Sequence, residues 1–167
     1  MTKIESSQVW IPVARGHLAL THRPKMTAFA GLREQGCTAM LTLLSAREGA
    51  EAIGAAASRV GIEWIWLPLE TGDPPSDERD EEVRGAFDRV RDLLMSGGHL
   101  LIHCSAGIHR TGMVGYAFLR HLGLAQEDAK TILRSLRTVT ADGVGETRLT
   151  WGERFGQGSG APPGNTM

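Results

Sequence analysis

The 167 residues contain only two cysteines, Cys37 and Cys104. Two cysteines cannot lay out a disulfide framework, and without a Cys-x-x-Cys pair they do not trace a structural zinc site. No apolar run is long enough to cross a bilayer. The opening MTKIESSQVW has no apolar stretch of the kind that exports a protein, so a cytoplasmic location is the expectation. Charge of one sign is missing too: the net formal charge is -1, which leaves no basic field to hold nucleic acid or a membrane surface. Anion binding has to come from a local site. No metal and no cofactor is expected, and the Gly-x-x-x-x-Gly-Lys-Ser/Thr pattern of nucleotide-binding loops is absent.

What is present is a regular alternation. Residues 8–21 read as two short strands about a turn at Arg15 and Gly16, and Pro24 introduces a helix over 25–35 that Gly36 stops. The apolar run 38–44 has strand length and suits a strand buried on both faces. An alanine-rich helix over 47–60 follows, then a strand over 62–67 ended by Pro68. After a loop at 70–76 comes a long helix over 77–95, acidic in its first turn, with Val83, Phe87, Val90, Leu93 and Leu94 as its apolar stripe. His99–His103 is a further buried strand, and helices are predicted over 111–122, 125–137 and 146–155. The tail 156–167, rich in glycine and proline, is expected to be disordered after a single domain over 1–155. The fold class is therefore α/β: a mostly parallel central sheet of four to five strands with helices on both faces. Ligands of such sheets bind beyond the carboxyl ends of the strands.

One segment sits at such an end. Between the strand ending at His103 and the helix after it stands Cys104-Ser105-Ala106-Gly107-Ile108-His109-Arg110-Thr111-Gly112. Wrapped tightly, its backbone N–H groups form an anion nest, to which the helix beginning near Arg110 adds its positive end. Gly107 allows a positive φ or a close approach. Arg110 can grip two phosphate oxygens, and a thiol held in such a field favours its nucleophilic thiolate. Thr111 can donate its hydroxyl to that sulfur.

HCSAGIHRTG resembles the HCxxGxxR[ST]G signature of the protein tyrosine phosphatase superfamily, and the short chain is similar to its compact dual-specificity, kinase-associated-phosphatase-like branch. The resemblance implies a phosphocysteine intermediate on Cys104. Ser105, Ala106, Gly107, Ile108, His109 and Arg110 would surround the phosphate, Arg110 and Thr111 would assist the chemistry, and His103 would support the loop from below. It implies a phosphorylated protein or a small phosphoester as substrate. It also implies an aspartate general acid on a loop roughly thirty residues upstream. Asp73, 31 positions before Cys104 (104 − 73), is the first choice. A register set by Pro68 places Thr71 there instead, and Glu70, Asp77 and Asp80 are the other acids within reach; Asp77 and Asp80 also suit a helix N-terminus. Glu146 falls where relatives hold a residue that positions water, though an ordinary acid at a helix start explains it as well. Cys37, at the head of an apolar strand, reads as core. His109 departs from the glycine most relatives carry; the position is expected to need an unusual backbone angle, and the side chain reads first as one tolerated at the exposed loop rim and second as a donor or partial positive charge favouring more anionic phosphates.

Overall fold

The computed structural model describes residues 8–156; residues 1–7 and the tail 157–167, on which the expectation of disorder falls, lie outside the described residues. Five strands form one sheet: β1 (Ile11–Val13), β2 (Gly16–Thr21), β3 (Ala39–Thr42), β4 (Glu63–Trp66) and β5 (His99–His103). Their order is β1-β2-β5-β3-β4, with β1 antiparallel to β2 and every other pair parallel. The helices are α1 (Phe29–Glu34), α2 (Ala50–Arg59), α3 (Asp80–Met95), α4 (His109–His121), α5 (Gln126–Leu136), α6 (Thr138–Gly143) and α7 (Glu146–Glu153), with short 3-10 turns at Ala46–Glu48 and Asp77–Arg79.

The continuous apolar strands have a simple cause. Successive side chains of a strand point to opposite faces, so a strand covered on both sides is apolar at every position. On β5, Leu100 and Ile102 face a core with Val83, Phe87, Phe118 and Trp151 from α3, α4 and α7, while Leu101 faces Phe29, Leu32, Ile53 and Ala57 from α1 and α2. On β3, Leu41 faces the first core and Met40 the second. The predicted stripe of α3 is buried at Val83, Phe87, Val90 and Leu94, and Leu93 is partly buried at its edge.

Helix α4 is different. All residues from Arg110 to Leu119 are buried, so it is wrapped by its neighbours rather than laid on a surface. Its N-terminus faces the end of the central strand, which fixes where the loop between them must sit. Two expectations need correction. The helix predicted over 25–35 is cut to Phe29–Glu34, since Pro24 leads into a turn. The segment 138–143 was left without structure but forms α6, whose Thr140 is fully buried against the loop after β5. That contact is tertiary and outweighs the poor helix propensity of Thr-Val-Thr.

Candidate active site

The loop 104–108 leaves β5 and turns back into α4. Five successive carbonyls along it are held from outside. The Cys104 carbonyl accepts from His103 Nδ1 at 3.2 Å, and that of Ser105 from the Arg23 backbone N–H at 2.9 Å. Arg137 Nη1 donates to Ala106 at 3.3 Å and to Gly107 at 2.8 Å, and the Thr140 hydroxyl also donates to Gly107. The Ile108 carbonyl accepts from the Gly112 N–H at 2.8 Å within α4. A peptide unit is planar and trans, so each outward carbonyl turns the following N–H the other way. The amides of Ser105 through His109 are thereby aimed into the loop, where they form the expected nest.

Gly107 is the one residue of the loop with positive φ, at 72°, and a Cβ there would stand 2.5 Å from the Thr21 carbonyl. Both reasons for a glycine apply. His109 does not share them. It opens α4 with ordinary backbone, so the expected unusual angle is not found. Its side chain is exposed at the rim, and a methyl group on Gly72 would lie 3.2 Å from its Cβ.

Cys104 is 3% exposed, at the floor of the loop, and the hydroxyl of the fully buried Thr111 donates to its sulfur at 2.9 Å. Arg110 is largely buried and aligned by Glu48. Its Nη1 donates to Glu48 Oε2 at 2.7 Å and to the Leu69 carbonyl at 2.9 Å, and its Nη2 to Glu48 Oε1 at 2.9 Å. A guanidinium has five N–H groups, and these contacts use three. The two left, on Nε and Nη2, share one edge and make a fork suited to two phosphate oxygens. Glu48 is itself fixed by a capping box, in which it accepts from the backbone N–H and the hydroxyl of Ser45. The Arg110 guanidinium holds the Glu48 carboxyl down at about 2.

His103 is fully buried between Thr42 and the loop, its Nε2 lying 2.8 Å from Thr42 Oγ1. Burial pushes its pKa down to about 4, so the ring is neutral. The signs of the two shifts agree. Between the ordinary imidazole value of 6.5 and about 4, the unfolded chain takes a proton that folded His103 refuses. Between 4.5 and about 2 the same holds for Glu48. Both therefore cost stability as pH falls through these windows. Glu48→Gln should flatten the melting-temperature profile below about pH 4.5 and leave its slope between 6.5 and 4.5 unchanged; a profile parallel to wild type down to pH 3 would contradict the pairing.

The loop 69–76, on which the general acid was expected, runs beside the nest. Leu69 is tied to Arg110, and the Gly72 carbonyl accepts from Arg148 Nε, whose Nη1 bonds Val144. Asp73 is exposed next to Gly72, its N–H donating to the Thr71 hydroxyl at 3.1 Å. Asp77 and Asp80 both pair with Arg154 at 2.9 Å, so the sequence alternatives farthest along the loop are engaged elsewhere. Glu70 is exposed, and Glu146 stands in the first turn of α7, as an acid at a helix start does. Cys37 is wholly buried, bonds the Ala39 carbonyl, and burial pushes its thiol up to about 12. The register of β3 on β5 places it at the opposite end of the sheet from Cys104, roughly 20 Å away. No disulfide can join the two. No group of three or more potential metal ligands occurs among the described residues, and no helix among them is long and apolar enough to cross a membrane.

Sequence reasoning missed Glu48, Arg137, Thr140 and Arg148. Ser45-x-x-Glu48 was legible as a capping box, but nothing in it announced Arg110.

A parallel sheet with a cysteine nest between its central strand and a buried helix is the architecture of the cysteine phosphatases. The chain belongs to the family described as polymorphic toxin system, DSP-PTPase phosphatase, whose profile matches residues 18–123. A curated relative, human dual specificity protein phosphatase 21, is 31% identical over 84 residues; the match spans 47% of this chain and 41% of that protein. Among solved structures, the active form of Tk-PTP superposes with a TM-score of 0.70 at 20% identity, covering 89% of this chain and 96% of that one. Kinase associated phosphatase carrying a serine for its catalytic cysteine gives 0.71 at 17% identity, covering 90% and 96%. These structural likenesses establish the fold.

Proposed function

We propose that the chain is a cysteine-dependent phosphomonoester hydrolase acting on phosphorylated protein side chains. The observation that carries this reading is Cys104 Sγ at the floor of a loop whose carbonyls, from Cys104 to Ile108, are all bonded outward. Phosphate oxygens seated there meet inward amides and the edge of Arg110 not taken by Glu48 and Leu69, donors fixed before the reaction starts. In the first step the Cys104 thiolate attacks phosphorus. The S–P bond forms as the ester P–O bond breaks, and Asp73 gives its proton to the departing oxygen. In the second step water attacks the phosphocysteine, Asp73 takes the proton back, and the electron pair of the broken S–P bond returns to sulfur, where Thr111 donates to it. Nothing in the cycle requires a metal.

The preference for protein substrates rests on two supports. The curated relative is named a dual specificity protein phosphatase, although the match covers 41% of its length. Ser105 and Ile108 also place no cation inside the loop that would select a lipid or inositol phosphate. Hydrolysis of an aryl phosphate without divalent ions tests the reaction, and a panel of phosphotyrosine, phosphothreonine, phosphoinositide and nucleotide substrates tests the preference. An absolute need for a divalent ion would overturn the thiolate mechanism. Asp73→Asn should lower kcat on a phosphoester with a poor leaving group by about 10²–10⁴-fold and remove the basic limb of its pH profile. Unchanged kinetics would move the acid to Glu70.

A further inference from the structure

Two residues far from the phosphate loop in sequence end in a hydrogen-bonded chain at its first peptide. Trp64 Nε1 donates to Thr42 Oγ1 at 2.8 Å, Thr42 Oγ1 meets His103 Nε2 at 2.8 Å, and His103 Nδ1 meets the Cys104 carbonyl at 3.2 Å. The donors along it can be assigned from chemistry. A carbonyl only accepts, so Nδ1 carries the hydrogen; a neutral ring then has Nε2 bare, and Thr42 must donate to it. Thr42 is free to do so because the indole N–H, which can only donate, occupies a lone pair of its oxygen. Thr42 and His103 are fully buried, so every polar atom they own has to be matched, and in this arrangement each is.

Trp64 is fixed in turn by packing. It stands on the edge strand β4 with its ring against Gly54 of α2, where a Cβ would come within 2.5–2.7 Å of ring atoms. Trp66 stacks beside it at 5.3 Å.

We propose that Trp64 and Thr42 are positioning residues for Cys104. They hold His103 in the tautomer that ties the Cys104 carbonyl outward, and the planar peptide then points the Ser105 N–H into the nest beside the sulfur. The role rests on reading Cys104 as the nucleophile, and it makes a partly exposed tryptophan on a sheet edge part of the reaction's support. The indole N–H of Trp64 bonds Thr42 and not the loop itself.

The readout is the rate at which iodoacetamide alkylates Cys104 at pH 6, together with kcat/KM on an aryl phosphate from pH 5 to 8. Mass spectrometry assigns the modified cysteine. Thr42→Val removes the hydroxyl at constant shape, Thr42→Ser restores it, and Trp64→Phe keeps the ring on Gly54 but removes the indole donor. Arg23 and His22 after β2, Arg110 on α4 and Arg137 before α6 are the other charged or titratable groups around the His103–Cys104 pair, and all stay in place in each variant. Trp64→Phe removes one hydrogen bond of the chain and should slow alkylation and lower kcat/KM at pH 6 by about three- to tenfold; Thr42→Val removes two and should lose at least as much, with Thr42→Ser close to wild type. Should Thr42→Val fail to fold, Trp64→Phe decides alone. Wild-type rates in folded Thr42→Val or Trp64→Phe, or a Thr42→Ser as slow as Thr42→Val, overturn the relay and leave the phosphatase standing. Thr42-dependent alkylation in a wild type that hydrolyses no phosphoester supports the relay and overturns the proposed reaction.

Discussion

Cys104→Ser is expected to abolish turnover of an aryl phosphate, a loss on the order of 10⁴-fold or more, while binding of inorganic phosphate or tungstate persists. The asymmetry follows from the division of labour in the loop. Oxygen replaces sulfur at the floor, and a serine hydroxyl is a far weaker nucleophile toward phosphorus than a cysteine sulfur. The amides of Ser105 through His109 and the fork of Arg110 are untouched, because their orientation depends on carbonyl contacts made by His103, Arg23, Arg137, Thr140 and Gly112. Single-turnover mixing of the wild type with substrate, followed by acid quench, should trap one phosphate per chain on Cys104; none should be trapped on the serine variant. Residual activity within tenfold of wild type in Cys104→Ser would place the nucleophile elsewhere.

Arg110→Lys should cost about 10²–10³-fold in kcat/KM, with charge preserved, and the loss should appear in kcat as well as in KM. Lysine supplies a point charge without the edge that grips two oxygens. Arg110 also spends three of its N–H groups inside the protein, on Glu48 and the Leu69 carbonyl. A lysine must choose between those partners and the phosphate. Glu48→Gln is the informative companion. It leaves the fork present but unaligned, and its loss should be smaller, about tenfold, and mostly in KM. If the lysine variant matched the glutamine variant, the guanidinium edge would carry no weight in the transition state.

Much of this was legible along the chain, for physical reasons that differ from element to element. β5 was readable because a strand covered on both faces is apolar at successive positions, as Leu100, Leu101 and Ile102 are; the buried His103 at its end is the exception. α3 was readable because one buried face repeats every three to four residues. The loop was readable because its demands are local: a nest, a positive φ at Gly107 and a fork at Arg110 all fall within seven residues. α6 was not, since its residues have poor helix propensity and its reason for being helical is Thr140 on the Gly107 carbonyl. At His109 only the expected backbone angle was wrong, because a family habit of glycine does not show which residue carries the positive φ; in this fold Gly107 carries it, and His109 stands exposed at the rim.

The sequence by itself determined the α/β architecture and singled out Cys104, Arg110 and Thr111, to which the proposed function gives the roles of nucleophile, phosphate-binding arginine and donor behind the sulfur. Each of these is written in residues that are neighbours in the chain or repeat with the period of one element. Only the tertiary structure decided what holds them: Glu48 on Arg110, Arg137 and Thr140 behind the nest, Arg154 on Asp77 and Asp80, and Trp64 and Thr42 behind His103. Those partners come from segments 22 to 77 residues apart. Such pairs leave no period or motif in a single chain, and those behind His103 become visible only when the sheet order brings β3 beside β5 and β4 beside β3.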